Sequence, residues 1–204
     1  MSWKDEHYKV ICDFMVWLNT CSNYYVLKGG TALMLCYNLN RFSEDIDLDG
    51  VEYDIEDIVK KFCILRKYTY RVAKDTLTVK RYMVHYGSAK PLKVEVSYRA
   101  KKVDSAETTS IKGILVYNIQ SLLQQKINAY SGRDKIRDLH DMVFIGVNYW
   151  NGLNLQVKSA LRNALEYKGL DYLDYLLNTQ ADELIDSDYL LTNFITLWEM
   201  LGLR

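Results

Sequence analysis

The chain has 204 residues, 49% hydrophobic and 25% charged, a balance that can build a buried core and excludes wholesale disorder. Its 26 basic and 26 acidic residues cancel, which is not the profile of a nonspecific nucleic-acid coat. Apolar runs such as Met142–Val147 are too short for a membrane span, and the charged start MSWKDEHYKV holds no apolar signal core. Four cysteines, at 12, 21, 36 and 63, lack metal-ligand spacing and sit in apolar sequence. These features predict a protein of the reducing cytoplasm with no membrane partner and no structural zinc.

Apolar positions at Trp3, Val10, Ile11, Phe14, Met15 and Leu18 predict a helix over residues 3–20. Tyr24–Leu27 is β-prone, Lys28-Gly29-Gly30-Thr31 interrupts it, and Ala32–Leu39 reads as a helix. Asp45–Leu48 alternates acidic and apolar residues, a strand period, and Ile55–Leu65 is an amphipathic helix. Short β-rich runs follow at Tyr68–Val72, Leu77–Tyr86, Leu92–Tyr98 and Gly113–Tyr117. Beyond Val116 the period becomes helical, at Ile119–Tyr130, Ile136–Tyr149, Leu155–Tyr167, Leu170–Leu177 and Tyr189–Leu201. The expected class is α+β, with a mixed sheet followed by a C-terminal helical bundle. With a single proline and no Gly/Ser-rich linker, the boundary is set by the change of period, giving domains 1–118 and 119–204.

Charge is distributed unevenly. Residues 60–102 hold thirteen Lys or Arg against two acids, Asp75 and Glu95, so the segment is about +11 and the remainder about −11. Such a segment is either the solvated side of strands and a helix or a surface for nucleic acid and nucleotide phosphates. The opposite extreme is the run from Glu44 to Asp57, with eight acids and no Lys or Arg.

Two features within this pattern point to chemistry. A strand that ends in Gly29-Gly30 and passes into a helix lets backbone N–H groups approach an anion such as a phosphate. On a strand, Asp45 and Asp47 project to one face with Ile46 behind them. Paired carboxylates repel unless a cation lies between them, and hard oxygen ligands suit Mg²⁺ that also holds substrate phosphates. A third acid on a neighbouring strand would complete a two-metal site. Glu95 qualifies, because Leu92, Val94 and Val96 share one face of its strand and Lys93, Glu95 and Ser97 the other. His7, His85 and His140 are scattered and have no ligand spacing.

The block KGGTAL…RFSEDIDLD resembles the AbiEii/AbiGii-type toxin family of the nucleotidyltransferase superfamily, which includes MenT-like toxins. A second block matches the same family: Gln125-Lys126-Ile127-Asn128-Ala129-Tyr130, then Arg133 and Arg137-Asp138-Leu139-His140-Asp141. Together they span roughly residues 24–145. Gln125 departs from the acid that many relatives carry before the lysine.

The resemblance implies a polymerase-β-like nucleotidyltransferase core. It assigns Gly29, Gly30 and Thr31 to the triphosphate, Asp45 and Asp47 to the metal, and Glu95 to activation of the attacking hydroxyl. Lys126 would neutralise phosphate charge, with Asp138 or Asp141 orienting it or reaching the nucleotide. The implied reaction is Mg²⁺-dependent transfer of a nucleoside monophosphate from an NTP to RNA, notably tRNA 3′ ends. The implied setting is a toxin with a cognate antitoxin. Transfer onto a protein hydroxyl, or a catalytically silent nucleotide-binding module, would use the same core.

Overall fold

A computed structural model describes residues 2–51, 55–99 and 103–203. Glu52 and Asp54 of the acidic run, and Lys101 and Lys102 of the basic segment, lie outside the described residues. The first helix, α1 (Trp3–Cys21), opens on a capping box in which the Ser2 and Asp5 side chains bond each other's backbone N–H. Its apolar stripe from Val10 to Leu18 is buried.

Strand β1 (Tyr25–Lys28) runs straight into helix α2 (Gly29–Cys36), which begins three residues earlier than the sequence pattern suggests. Gly29 has φ +73°, and this left-handed residue makes the abrupt strand-to-helix corner. Strand β2 (Asp45–Gly50) and helix α3 (Ile55–Arg66) follow, then β3 (Thr69–Asp75), β4 (Val79–His85) and β5 (Leu92–Ser97). A short 3₁₀ turn leads to β6 (Thr108–Ile111), which hydrophobic alternation does not reveal because its sequence is Thr-Thr-Ser-Ile, and then β7 (Ile114–Tyr117).

These seven strands form one mixed sheet in the order β3-β4-β5-β2-β1-β7-β6. The β2–β5 and β1–β7 pairs are parallel and the others antiparallel. One face is apolar: Ile46, Leu48, Tyr82, Val84, Val94 and Val96 are all fully buried. Helices α1 and α3 pack on this side, with the Phe14 and Phe62 rings edge-to-face at 5.1 Å. Each large side chain so buried is worth about 1.5–3 kcal/mol. The opposite face carries the polar alternates of the same strands.

Four helices follow: α4 (Ile119–Gly132), α5 (Ile136–Asn148), α6 (Leu155–Thr179) and α7 (Ser187–Met200). The span of α6 comprises two helical stretches, as expected at 155–167 and 170–177, joined across a kink at Gly169 (φ +72°, ψ 178°). Asn118, Asn154 and Asp186 cap α4, α6 and α7 with their side chains. Gly146 lets α5 approach α7, since a Cβ there would lie 2.7 Å from Leu197.

By contacts the chain divides into one unit of Met1–Asn38 with Phe42–Tyr117 and another of Leu39–Arg41 with Asn118–Arg204. Of the four cysteines in apolar sequence, Cys36 and Cys63 are buried, Cys12 is half-buried and Cys21 is exposed. Among the described residues no helix is long and apolar enough to cross a membrane.

Candidate active site

The alternation of β2 buries Ile46 and Leu48 and turns Asp45, Asp47 and Asp49 to the polar face. Parallel pairing with β5 sets Asp45 opposite Lys93 and Asp47 opposite Glu95. Three carboxylates therefore share one face of two adjacent strands. Their charge is partly met from the same face: Lys93 Nζ is 2.7 Å from Asp45 Oδ2 and 4.0 Å from Asp47 Oδ1, and Arg81 Nε is 2.6 Å from Glu95 Oε2. The balance at Asp47 still disfavours ionisation. Burial is the largest influence and pushes its carboxyl pKa up; Lys93 and Lys28 pull it down, Asp45 and Glu95 push with burial, and the net direction is upward. At Lys93 burial acts to lower the ammonium pKa, but the surrounding carboxylates reverse the sign and raise it.

The glycine turn is fitted to this acid pair. A Cβ on Gly29 would lie 3.2 Å from Asp47 Oδ2, so the backbone passes close against the carboxylate and any side chain there would crowd it. Thr31 is buried, and its hydroxyl donates to the Asp45 carbonyl and sits 3.0 Å from Ser43 Oγ. Its side chain thus ties α2 to the start of β2. Lys28, opposite Asp47 on β1, reaches Asp49 at 2.5 Å, and the Tyr117 hydroxyl donates to the other Asp49 oxygen at 2.9 Å. Sequence reasoning missed Lys28, Asp49 and Lys93 as members of the cluster. The signal for Asp49 was present, since it continues the same alternation by one more step.

In the helical unit Asp138 and Asp141, one turn apart on α5, both meet Lys126 of α4, at 3.2 and 2.7 Å. Arg133 also bonds Asp138, at 2.7 Å. Arg41 closes on Asp141 through Nε and Nη2, each 2.7 Å from a carboxylate oxygen. Burial alone would raise the Asp141 carboxyl pKa, but Lys126 and Arg41 hold it well below the usual carboxylate range. Arg41 opens the RFSEDIDLD block, and its pairing over a hundred residues could not be read from spacing. Of the histidines, His7 is buried between the Tyr86 hydroxyl and the Glu44 carbonyl, and His140 lies buried against Tyr189.

Among the described residues no three of His, Cys, Asp and Glu are grouped to hold a metal ion by themselves. The donor set nonetheless fits a hard divalent cation, which takes one or two protein carboxylates and fills its shell from substrate phosphates and water. Asp45 and Asp47 supply such a pair, and the resistance of Asp47 to ionisation is what a bound cation would relieve.

Solved structures share this architecture. JHP933 from Helicobacter pylori is 28% identical with a TM-score of 0.81, the match covering 98% of this chain and 92% of that one. A second Helicobacter pylori structure, a nucleotidyltransferase by provisional assignment, is 28% identical with a TM-score of 0.80, covering 98% and 96%. The fold is also that of MenT4, the nucleotidyltransferase toxin Rv2826c from Mycobacterium tuberculosis H37Rv, at 15% identity and a TM-score of 0.52, covering 95% and 82%. No curated protein matches in sequence. The family described as nucleotidyl transferase AbiEii toxin, type IV toxin–antitoxin system, matches residues 15–193. The chain therefore belongs to the AbiEii nucleotidyltransferase toxin family, and it is a nucleotidyltransferase.

Proposed function

We propose that this enzyme moves a nucleoside monophosphate from an NTP onto an RNA acceptor, a tRNA 3′ end, and inhibits growth by doing so. The observation that carries the reading is the parallel register that sets Asp45 and Asp47 beside Glu95, against the Gly29 backbone. Mg²⁺ on Asp45 and Asp47, with Glu95 as the third acid, would supply the charge that polarises the phosphates. In this reading Gly29 and Gly30 offer backbone to the triphosphate, and Thr31 holds their turn onto β2.

The acceptor hydroxyl attacks the α-phosphorus in line. One O–P bond forms, the α–β bridging P–O bond breaks, and pyrophosphate leaves. Glu95 receives the hydroxyl proton, while Arg81 on its Oε2 fixes the carboxylate in place. Lys126, paired with Asp138 and Asp141, is assigned to the phosphate charge that grows in the transition state. The protein's part is positioning and charge neutralisation.

The test is transfer from each α-labelled NTP in the presence of total tRNA and Mg²⁺, with parent protein and Asp47→Ala. Label on RNA from the parent alone is expected. Label on protein instead would retain the acid site and remove the RNA acceptor. Equal labelling by Asp47→Ala would remove the metal-site assignment.

A further inference from the structure

The acid-bearing face of the sheet does not end at Glu95. Continuing the register outward, Glu95 pairs with Arg81 on β4, and Arg81 with Lys74 on β3; one row nearer β3's start, Lys93 pairs with Met83 and Met83 with Arg71. Arg71 and Lys74 are an odd number of positions apart and would normally point to opposite faces. The register shift between Val72 and Lys74 is a β-bulge that changes the parity, so both cations fall on the side of the acids. The same shift sends Asp75, the lone acid of β3, opposite Lys80, with which it pairs at 3.3 Å.

Charge is sorted by this device. Close to Asp45 and Glu95, Lys93 and Arg81 are committed to carboxylates. Further out, Arg71 and Lys74 are exposed, and among the described residues neither meets a carboxylate. Strands lie about 4.8 Å apart, so these side chains stand roughly 10–15 Å from the acids. A polyanion with its reacting hydroxyl at the acids would carry its next phosphates over that distance. No aromatic side chain occupies these two rows of β3 and β4, where Arg71, Met83, Lys74 and Arg81 stand. Contact there would be with backbone phosphates, not with stacked bases.

We infer that the Arg71/Lys74 face of β3 and β4 is the track along which single-stranded RNA enters the acid site, read through its phosphates without base specificity. This rests on the proposal above that the acceptor is RNA. It adds where the RNA lies and which residues grip it.

The experiment measures binding of a fluorescein-labelled single-stranded RNA oligonucleotide by anisotropy across a salt series. It compares the parent, Arg71→Gln with Lys74→Gln, and a control of equal charge loss, Lys60→Gln with Lys61→Gln. Lys60 and Lys61 are exposed on α3, which packs on the opposite face of the sheet. Each lost phosphate contact on a single strand lowers the slope of log K against log salt by about 0.7, so the β3 pair should reduce it by about 1.4. The α3 pair should leave it unchanged. With RNA as varied substrate in the transfer assay, the β3 pair should raise KM and spare kcat.

Parent-like binding by the β3 variant, equal loss in both variants, or no RNA binding by the parent at low salt would each overturn the track. The transfer arm separates this from the acceptor proposal. If RNA is labelled by the parent and not by Asp47→Ala, while the β3 variant binds as the parent does, the track falls and the reaction stands. If protein is labelled while RNA binding still depends on the β3 pair, the acceptor falls and the surface stands.

Discussion

Arg41 and Asp141 form a two-pronged ion pair across a hundred residues of sequence, with both carboxylate oxygens 2.7 Å from guanidinium nitrogens. The side chains are 4% and 0% exposed, so neither charge can turn to water if its partner is removed. Asp141→Ala should therefore cost about 3–5 kcal/mol in urea unfolding, since it removes the buried two-pronged carboxylate from Arg41 and deprives Lys126 of one partner. Asp141→Asn keeps the shape and should cost less. The carboxyl is held below its ordinary pKa, so its contribution is present at neutral pH and is lost as pH falls below about 4. A midpoint that declines equally with acid in parent and Asp141→Asn would refute this account.

Asp47 has the opposite sign. Its folded-state pKa is raised by burial and by Asp45 and Glu95, so in chelator the ionised carboxylate works against the fold. Any stability that the group contributes is present below the unfolded carboxyl pKa and disappears as pH rises through the folded one. Asp47→Asn should thus melt higher than the parent at neutral pH without metal, while transfer is abolished. Adding Mg²⁺ should raise the parent's melting temperature and close the gap, because ligand that binds only the folded state stabilises it. A variant that melts lower than the parent in chelator would show that the acids are not in mutual conflict.

Much of this arrangement is legible in the sequence. The period-two run Asp45–Leu48 gave a strand with its acids on one face, and the Leu92–Ser97 alternation put Glu95 on the polar face of another. That β2 and β5 would be adjacent and parallel, with Asp47 opposite Glu95, was not readable, because strand pairing over half the domain leaves no local mark. The same holds for Lys93, an unremarkable strand lysine until register sets it opposite Asp45. Strand β6 escaped because a polar edge strand needs only backbone partners. The two helices on either side of Gly169 are legible in the sequence, and the non-helical backbone at that glycine separates them.

Gly29 tests whether the corner and the acid are matched. An alanine there meets two penalties, a left-handed φ of +73° and a Cβ 3.2 Å from Asp47 Oδ2. The conformation costs on the order of 1–2 kcal/mol. The contact acts on the carboxylate itself, so transfer should fall more steeply than stability. Gly146→Ala serves as the comparison. It creates a 2.7 Å clash with Leu197, should cost about 1–3 kcal/mol, and should leave the specific activity of the folded fraction intact. Equal activity loss per kcal/mol in the two variants would mean that Gly29 is only a fold residue.

Lys126 offers the cleanest separation of charge from structure. Its ammonium lies 3.2 Å from Asp138 and 2.7 Å from Asp141, and each carboxylate has a second cation, Arg133 for the first and Arg41 for the second. Lys126→Met therefore leaves no acid without a partner. The stability cost should stay near the ~1.5–3 kcal/mol of one charged hydrogen bond, below the loss from Asp141→Ala. If the ammonium neutralises phosphate charge in the transition state, kcat should drop about 10²–10³-fold, while NTP affinity changes much less. Lys126→Arg keeps the charge but spreads it over a larger planar group, and should recover part of kcat. A Lys126→Met enzyme with parental kcat would reduce the lysine to a clasp between two helices.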